Sequence, residues 1–250
     1  MQNNFYCKQP FINLYDSPYR NSQIGSQILY GEGFKILKKE KNFIKIKTRY
    51  DNYIGYIKQT KYSSKFSSTH KISALKSRIY KYPKNLNKFK SKNFLSFSSK
   101  IQVIKKKNNF VMFDKNKWIL SKDIMQIDKK EKNFIKILKL FLNCKYKWGG
   151  KTYNGIDCSA LIQIFYKFNN KFFPRDTVDQ IKFKKGNITK NKFKLGEIIY
   201  WKGHVAICIN SKELIHAYGP RKKVLIMSIK KTIKLIKDTA KLDVKRKFTI

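Results

Sequence analysis

Two stretches of this chain carry the same order of strand-forming residues at a fixed offset of 67. Phe34-Lys35-Ile36-Leu37-Lys38-Lys39 leads to Asn42-Phe43-Ile44, and Ile101-Gln102-Val103-Ile104-Lys105-Lys106 leads to Asn109-Phe110-Val111. Each is an alternating apolar strand, a Lys-rich turn and a second strand. A short apolar start precedes each (Asn13-Leu14-Tyr15 and Arg78-Ile79-Tyr80), and an aromatic strand follows each (Tyr53–Ile57 and Trp118–Leu120). Five short strands in about 60 residues are the size of a small β-barrel. The spacing therefore predicts two barrels, residues 1–62 and 68–127, with a Ser/Thr/Lys-rich link near Ser63–Lys71.

The period changes after Asp128. Phe134, Ile137, Leu138, Phe141 and Leu142 recur at helical steps, which predicts a helix over about Lys129 to Asn143. Asp157 and Asp176 each stand before an apolar helical run, and Asp is a good N-cap because its carboxylate accepts first-turn N–H groups. Alternating strands follow at Glu197–Trp201, His204–Ile209, Glu213–Ala217 and Lys223–Ile229. Ser228 is read as capping a last helix to about Ala240, and Leu242–Phe248 as a final strand. Helices first and an antiparallel sheet after make residues 128–250 an α+β domain.

The formal charge of +42 invites a nucleic-acid reading, but the residue choice points elsewhere. Of 57 basic residues, 51 are Lys and 6 are Arg, and Phe, Tyr, Ile, Asn and Lys together make 137 of the 250 residues. These are the products of A/T-rich codons. A chain selected to grip phosphate would be expected to keep more of the guanidinium forks that bind it in two places. The charge is also spread, +7 over residues 1–63, +14 over 64–127 and +21 over 128–250, with no basic arm. Its expected use is weaker: drawing in acidic small substrates under a field that salt screens. Apolar runs such as Leu161–Ile164 are too short to span a membrane. Cys7, Cys144, Cys158 and Cys208 have neither disulfide-framework nor metal-type spacing, and the start of the chain has no signal-peptide pattern. The expectation is a cytoplasmic protein without metal or cofactor.

Cys158 follows Asp157 at the start of an expected helix, where unsatisfied N–H groups favour a thiolate and should lower the thiol pKa. His204 and His216 lie on successive strands. An even register, from a turn of odd residue count near Asn210, would put both imidazoles on one face and across from each other. One could then activate Cys158 while the other orients it. Cys7, Cys144, Cys208 and His70 are read as structural.

These residues carry a family resemblance. Tyr146-Lys147-Trp148-Gly149-Gly150, Gly155-Ile156-Asp157-Cys158-Ser159-Ala160-Leu161-Ile162-Gln163, Pro174-Arg175-Asp176-Thr177, Leu195-Gly196-Glu197, Gly203-His204-Val205-Ala206-Ile207 and Ile215-His216-Ala217 resemble, in unbroken order, the NlpC/P60 cysteine peptidases. The upstream repeats resemble the bacterial SH3-like domains that precede this domain in the γ-D-glutamyl-L-diamino acid peptidases. The resemblance implies a papain-like catalytic domain over 128–250 behind two SH3-like barrels. It implies Cys158 as nucleophile, His204 as base and then acid, His216 as the orienting residue, and Tyr146 as a hydroxyl near the oxyanion. It also implies that Asp157 and Ser159 hold a free substrate amine, that Trp148 and Thr177 line the pocket, and that Glu32 and Tyr53 exclude longer, glycan-linked peptides. The implied substrate is a murein tri- or tetrapeptide with a free N-terminal L-Ala, taken by a monomer in cell-wall recycling, with no nucleic-acid or membrane partner. The rivals are an amidase or acyltransferase on the same fold, or a binding protein without chemistry. The family usually has Gly where this chain has Ala160 and Ala206.

Overall fold

The computed structural model describes residues 4–184, 186 and 192–250. Residues 1–3 of the first expected domain, and 185 and 187–191 of the third, lie outside the described residues. The chain divides into two compact units. One holds residues 1–130 with Lys151–Tyr153 and Phe168–Asn170; the other holds Glu131–Gly150, Asn154–Lys167 and Lys171–Ile250.

The first unit is built twice on one strand plan. β1 (Asn4–Cys7), β2 (Phe11–Tyr15), β3 (Ile24–Leu29), β4 (Gly33–Lys39), β5 (Phe43–Thr48), β6 (Ile54–Lys58) and β7 (Tyr62–Ser63) form one sheet in the order β3-β2-β6-β5-β4-β1-β7. The second copy comprises β8 (His70–Ile72), β9 (Lys76–Tyr80), β10 (Lys90–Ser96), β11 (Lys100–Ile101), β12 (Lys105–Lys107), β13 (Phe110–Asp114), β14 (Lys117–Leu120) and β15 (Ile124–Gln126). Its sheets run β10-β9-β14-β13-β12 and β11-β8-β15. Matching β2 with β9, β3 with β10, β5 with β13 and β6 with β14 gives the same neighbours in both copies. The counterpart of β4 is broken into β11 and β12, so one sheet becomes two. Each copy therefore holds the four strand positions named from the sequence, together with β3 or β10 and a short outer pair that the alternation pattern did not locate.

Period-two alternation sets each core. Leu14, Ile28, Phe34, Ile44, Ile46 and Ile57 pack the first, and Ile72, Ile79, Leu95, Ile101, Val111, Phe113 and Ile119 the second. Each such side chain contributes roughly 1.5–3 kcal/mol on full burial. Tyr30 leaves the first copy to join the second core, and Gly31 beside it adopts φ +75°, where a Cβ would run into the Lys100 carbonyl. Lys71, Lys151, Lys167 and Lys247 are buried; Lys71 Nζ donates to the carbonyls of Ile127 and Lys129, and burial pulls its pKa down to about 8.

In the second unit the expected first helix is shorter than the periodicity suggests. α1 (Phe134–Lys139) starts only after Asn133, whose side chain accepts the Lys136 N–H at 3.1 Å. The preceding Lys129–Lys132 stretch has no apolar face to bury. Beyond Lys139 the chain continues in single i→i+3 turns to Asn143, which stops it at φ +62°. Two-residue strands follow, β16 (Lys151–Thr152, in the first unit) and β17 (Gly155–Ile156). Next come α2 (Cys158–Phe168) and the four-residue α3 (Thr177–Gln180). Asp176 and Ser228 stand at the starts of α3 and α4 (Ile229–Ala240) without side-chain capping bonds, unlike the expectation.

β18 (Glu197–Trp201), β19 (His204–Cys208), β20 (Glu213–Tyr218), β21 (Lys223–Ser228) and β22 (Arg246–Thr249) form one antiparallel sheet, ordered β21-β20-β19-β18-β22. The last strand begins later than Leu242; Leu242 and Val244 instead pack against the core of Ile199, Trp201, Ala206 and Ile236. No helix among the described residues is long and apolar enough to cross a membrane.

Candidate active site

Cys158, His204 and His216 all lie in the second unit. Cys158 is the first residue of α2, buried to 5 % exposure. Asp157 caps this helix by accepting the Ala160 N–H at 2.8 Å. The residues flanking His204 both reach the sulfur: Gly203 O lies 4.0 Å from Sγ, and the Val205 N–H points at it. That placement depends on the two-residue turn Lys202-Gly203 between β18 and β19, where Gly203 takes φ +75°.

His204 and His216 lie on one face of the sheet, as the even register requires, but not directly across from each other. β19 and β20 pair Ile207 with Ile215 and Cys208 with Leu214. Continued, that register sets His204 against Tyr218 and His216 against Ala206. The imidazoles are diagonal neighbours, His204 Nε2 2.9 Å from His216 Nδ1, because the turn centres on Ser211 rather than Asn210. Tyr218 stacks on His216 at 4.8 Å between ring centroids.

These contacts order the protons. His216 Nε2 faces Met227 Sδ at 3.3 Å, and a thioether can only accept. With its proton there, His216 Nδ1 accepts from His204 Nε2–H. His204 Nδ1 is then the ring nitrogen without a proton.

The electrostatics correct one expectation. The Ser159 and Val205 N–H groups and Arg175 do favour a thiolate, but burial, aided by the Asp157 charge, outweighs them and pushes the Cys158 thiol up to about 12. Burial also lowers His204 to about 4 and His216 to about 3, the latter further opposed by His204. At rest the thiol and both imidazoles are neutral. A helix start stabilises an anion only where the burial cost is smaller than the dipole's contribution.

Asp157 and Ser159 are already engaged. The Asp157 carboxylate accepts the Gly149 N–H at 2.9 Å, the Ser159 hydroxyl at 3.1 Å and both arms of Arg175 at 2.5 and 3.1 Å. Arg175 also donates to Ser159 Oγ at 2.7 Å and is itself 3 % exposed. With the Ala160 N–H, the lone pairs of Asp157 are filled. The fork ties the Trp148-Gly149 loop and the start of α2 into one body. Arg175 had no assigned role in the sequence reading, although one of six arginines among 51 lysines was a usable signal. Tyr218 and Met227 carried no such signal.

Tyr146 is half-buried beside Cys158 and Asp157; burial first, then those two charges, raise its phenol pKa. Trp148 is 56 % exposed, and Thr177 opens α3 half-buried. Ala160 and Ala206 are both buried, so their extra methyls are accommodated, Ala206 within the sheet core. Glu32 and Tyr53 belong to the first unit, Glu32 buried after β3 and Tyr53 packed on the first barrel core. Among the described residues, no three His, Cys, Asp or Glu side chains converge as a metal site. All four cysteines are free thiols.

Residues 143–239 match the NlpC/P60 family, and residues 14–61 match the bacterial dipeptidyl-peptidase Sh3 domain. A curated relative, the gamma-D-glutamyl-L-lysine dipeptidyl-peptidase of Bacillus subtilis, is 24% identical over 84% of this chain and 77% of its own length. Dipeptidyl-peptidase 6 of Lysinibacillus sphaericus is 31% identical over 34% of this chain and 31% of its own. Among solved structures, an NlpC/P60 family protein from Bacillus cereus ATCC 10987 superposes with a TM-score of 0.77 at 17% identity, over 90% of this chain and 94% of that one. An NlpC/P60 endopeptidase from Photobacterium damselae subsp. piscicida gives 0.61 at 12% identity, over 98% and 70%. The two structural likenesses establish the fold.

Proposed function

Given that the chain belongs to the NlpC/P60 family and carries a bacterial dipeptidyl-peptidase SH3 domain, we propose that it is a cysteine peptidase cutting the γ-D-glutamyl–diamino acid bond of free murein peptides. The observation that carries this reading is the 2.9 Å contact of His204 Nε2 with His216 Nδ1, with the residues on both sides of His204 against the Cys158 sulfur. The name of the Bacillus subtilis relative supports the bond specificity.

The proposed reaction starts from the neutral pair. His204 Nδ1 takes the thiol proton as Sγ attacks the γ-carbonyl of D-Glu, and His216 Nδ1 accepts from Nε2–H and steadies the imidazolium that forms. Backbone N–H at the start of α2 and the Tyr146 hydroxyl receive the oxyanion. His204 then protonates the leaving amine, and water, activated by the same nitrogen, releases L-Ala-D-Glu. A neutral resting thiol suits an enzyme that forms its nucleophile only with substrate seated. With its lone pairs taken within the protein, Asp157 would act on the L-Ala ammonium by its charge, and Ser159 would offer its remaining hydroxyl lone pair. The reading assigns the protein to cytoplasmic recycling of released cell-wall peptides.

Digestion tests it. L-Ala-γ-D-Glu-meso-diaminopimelate should release L-Ala-D-Glu, its N-acetylated form should not, and Cys158→Ala should release nothing. Equal cleavage of both forms removes the amine role given to Asp157 and Ser159. Cleavage of neither returns the chain to a binding role.

A further inference from the structure

Beside His204 lies a groove of about 580 Å³, bounded by Tyr146 and His204, by the turn residue Lys202, by Arg221, and by Leu235 and Ile236 of α4. None of Asp157, Ser159, Trp148 or Thr177 lines it. A general acid protonates the leaving amine, so the leaving residue must lie beside His204, and this groove opens there.

Its chemistry is one-sided. Lys202 and Arg221 are exposed, and neither is ion-paired with a described residue. No acidic side chain lines the groove. The nearby acids of α4 and its end, Asp238 and Asp243, are taken up by Lys234 and Lys237. Leu235 and Ile236 supply an apolar wall on which a run of methylenes can lie.

We propose that this groove is the leaving-group subsite and that it selects a diamino acid bearing a second carboxylate, as meso-diaminopimelate does, over L-lysine. The two free cations match two carboxylates, and a guanidinium holds a carboxylate in two places. Both residues end in an ammonium, but only meso-diaminopimelate sets a carboxylate beside it; lysine would bring the ammonium alone to Lys202 and Arg221. The proposal rests on the peptidase reading and narrows its substrate.

The test compares kcat/KM for L-Ala-γ-D-Glu-meso-diaminopimelate and L-Ala-γ-D-Glu-L-Lys. The wild type should favour the first by about ten-fold or more, the scale of one charge-assisted contact. Arg221→Gln and Lys202→Gln should each shrink that ratio several-fold. Equal cleavage of both peptides by the wild type, or a ratio unmoved in both variants, overturns the subsite and leaves the peptidase reading standing. Methyl NMR of Leu235 and Ile236 in Cys158→Ala provides a readout without turnover. Free meso-diaminopimelate should shift these signals, L-lysine should not, and Arg221→Gln should weaken the shift. If the wild type cleaves neither peptide, the peptidase reading falls and this titration alone judges the groove: no shift overturns it.

Discussion

At the scale of single residues, burial decides the charge of the two histidines of the site. His204 and His216 both titrate below the ordinary imidazole value of 6.5 when folded. The unfolded chain therefore binds more protons than the folded one between pH 6.5 and about 3, and stability falls as pH drops through that window. Thermal melts at stepped pH should show the loss, and His216→Asn should flatten it; a wild-type profile flat from pH 7 to 4 would contradict neutral buried imidazoles. The same neutrality sets activity. The acid limb of kcat/KM should lie below pH 6.5 if the proposed mechanism, with free His204 as the base, holds. A midpoint at or above 6.5 would count against it. Arg175 offers the sharpest stability test. Arg175→Met leaves the buried Asp157 charge without its fork and should cost about 3–5 kcal/mol in urea unfolding. A loss under ~1 kcal/mol would mean that the Gly149, Ser159 and Ala160 donors suffice.

Among the elements, the β18–β19 turn does the most for the site. It brings His204 onto the sheet and the Gly203 carbonyl to the Cys158 sulfur. A Cβ at Gly203 would meet open space, so the cost of Gly203→Ala is conformational, roughly 1–2 kcal/mol for a left-handed residue. If the turn relaxes to avoid that cost, kcat should fall with a modest change in melting temperature. Unchanged kcat with the expected stability loss would mean the turn holds its shape without glycine. The twin strand plans of the first unit show how far pattern reaches. The Phe34 and Ile101 repeats fold into equivalent places, with Phe43 and Phe110 each opening the next strand. The break between β11 and β12 left no mark on the alternation, because whether a strand stays hydrogen-bonded through Gln102–Ile104 depends on neighbours from elsewhere in the chain.

For the molecule as a whole, +42 is a field rather than a site. The proposed substrates are anionic, so kcat/KM should fall as ionic strength rises, while kcat changes little. The screening length shrinks from about 30 Å at 0.01 M to about 8 Å at 0.15 M, which brackets the range to sample. The melting temperature should rise over the same range as self-repulsion is screened. A kcat/KM indifferent to salt would leave the lysines as a by-product of base composition with no part in capture.

Period, spacing and residue type are local properties. They were enough to read the doubled strand pattern, the change to helix after Asp128, and Cys158, His204 and His216 as the residues worth watching. Tertiary structure decided what those residues are. Burial made the expected thiolate a thiol, a turn centred on Ser211 made opposed histidines diagonal, and Arg175 closed on Asp157 across 18 residues of chain. The reason is physical: a pKa and a hydrogen bond depend on solvent exclusion and on groups distant in sequence, and neither is written in any window of the chain.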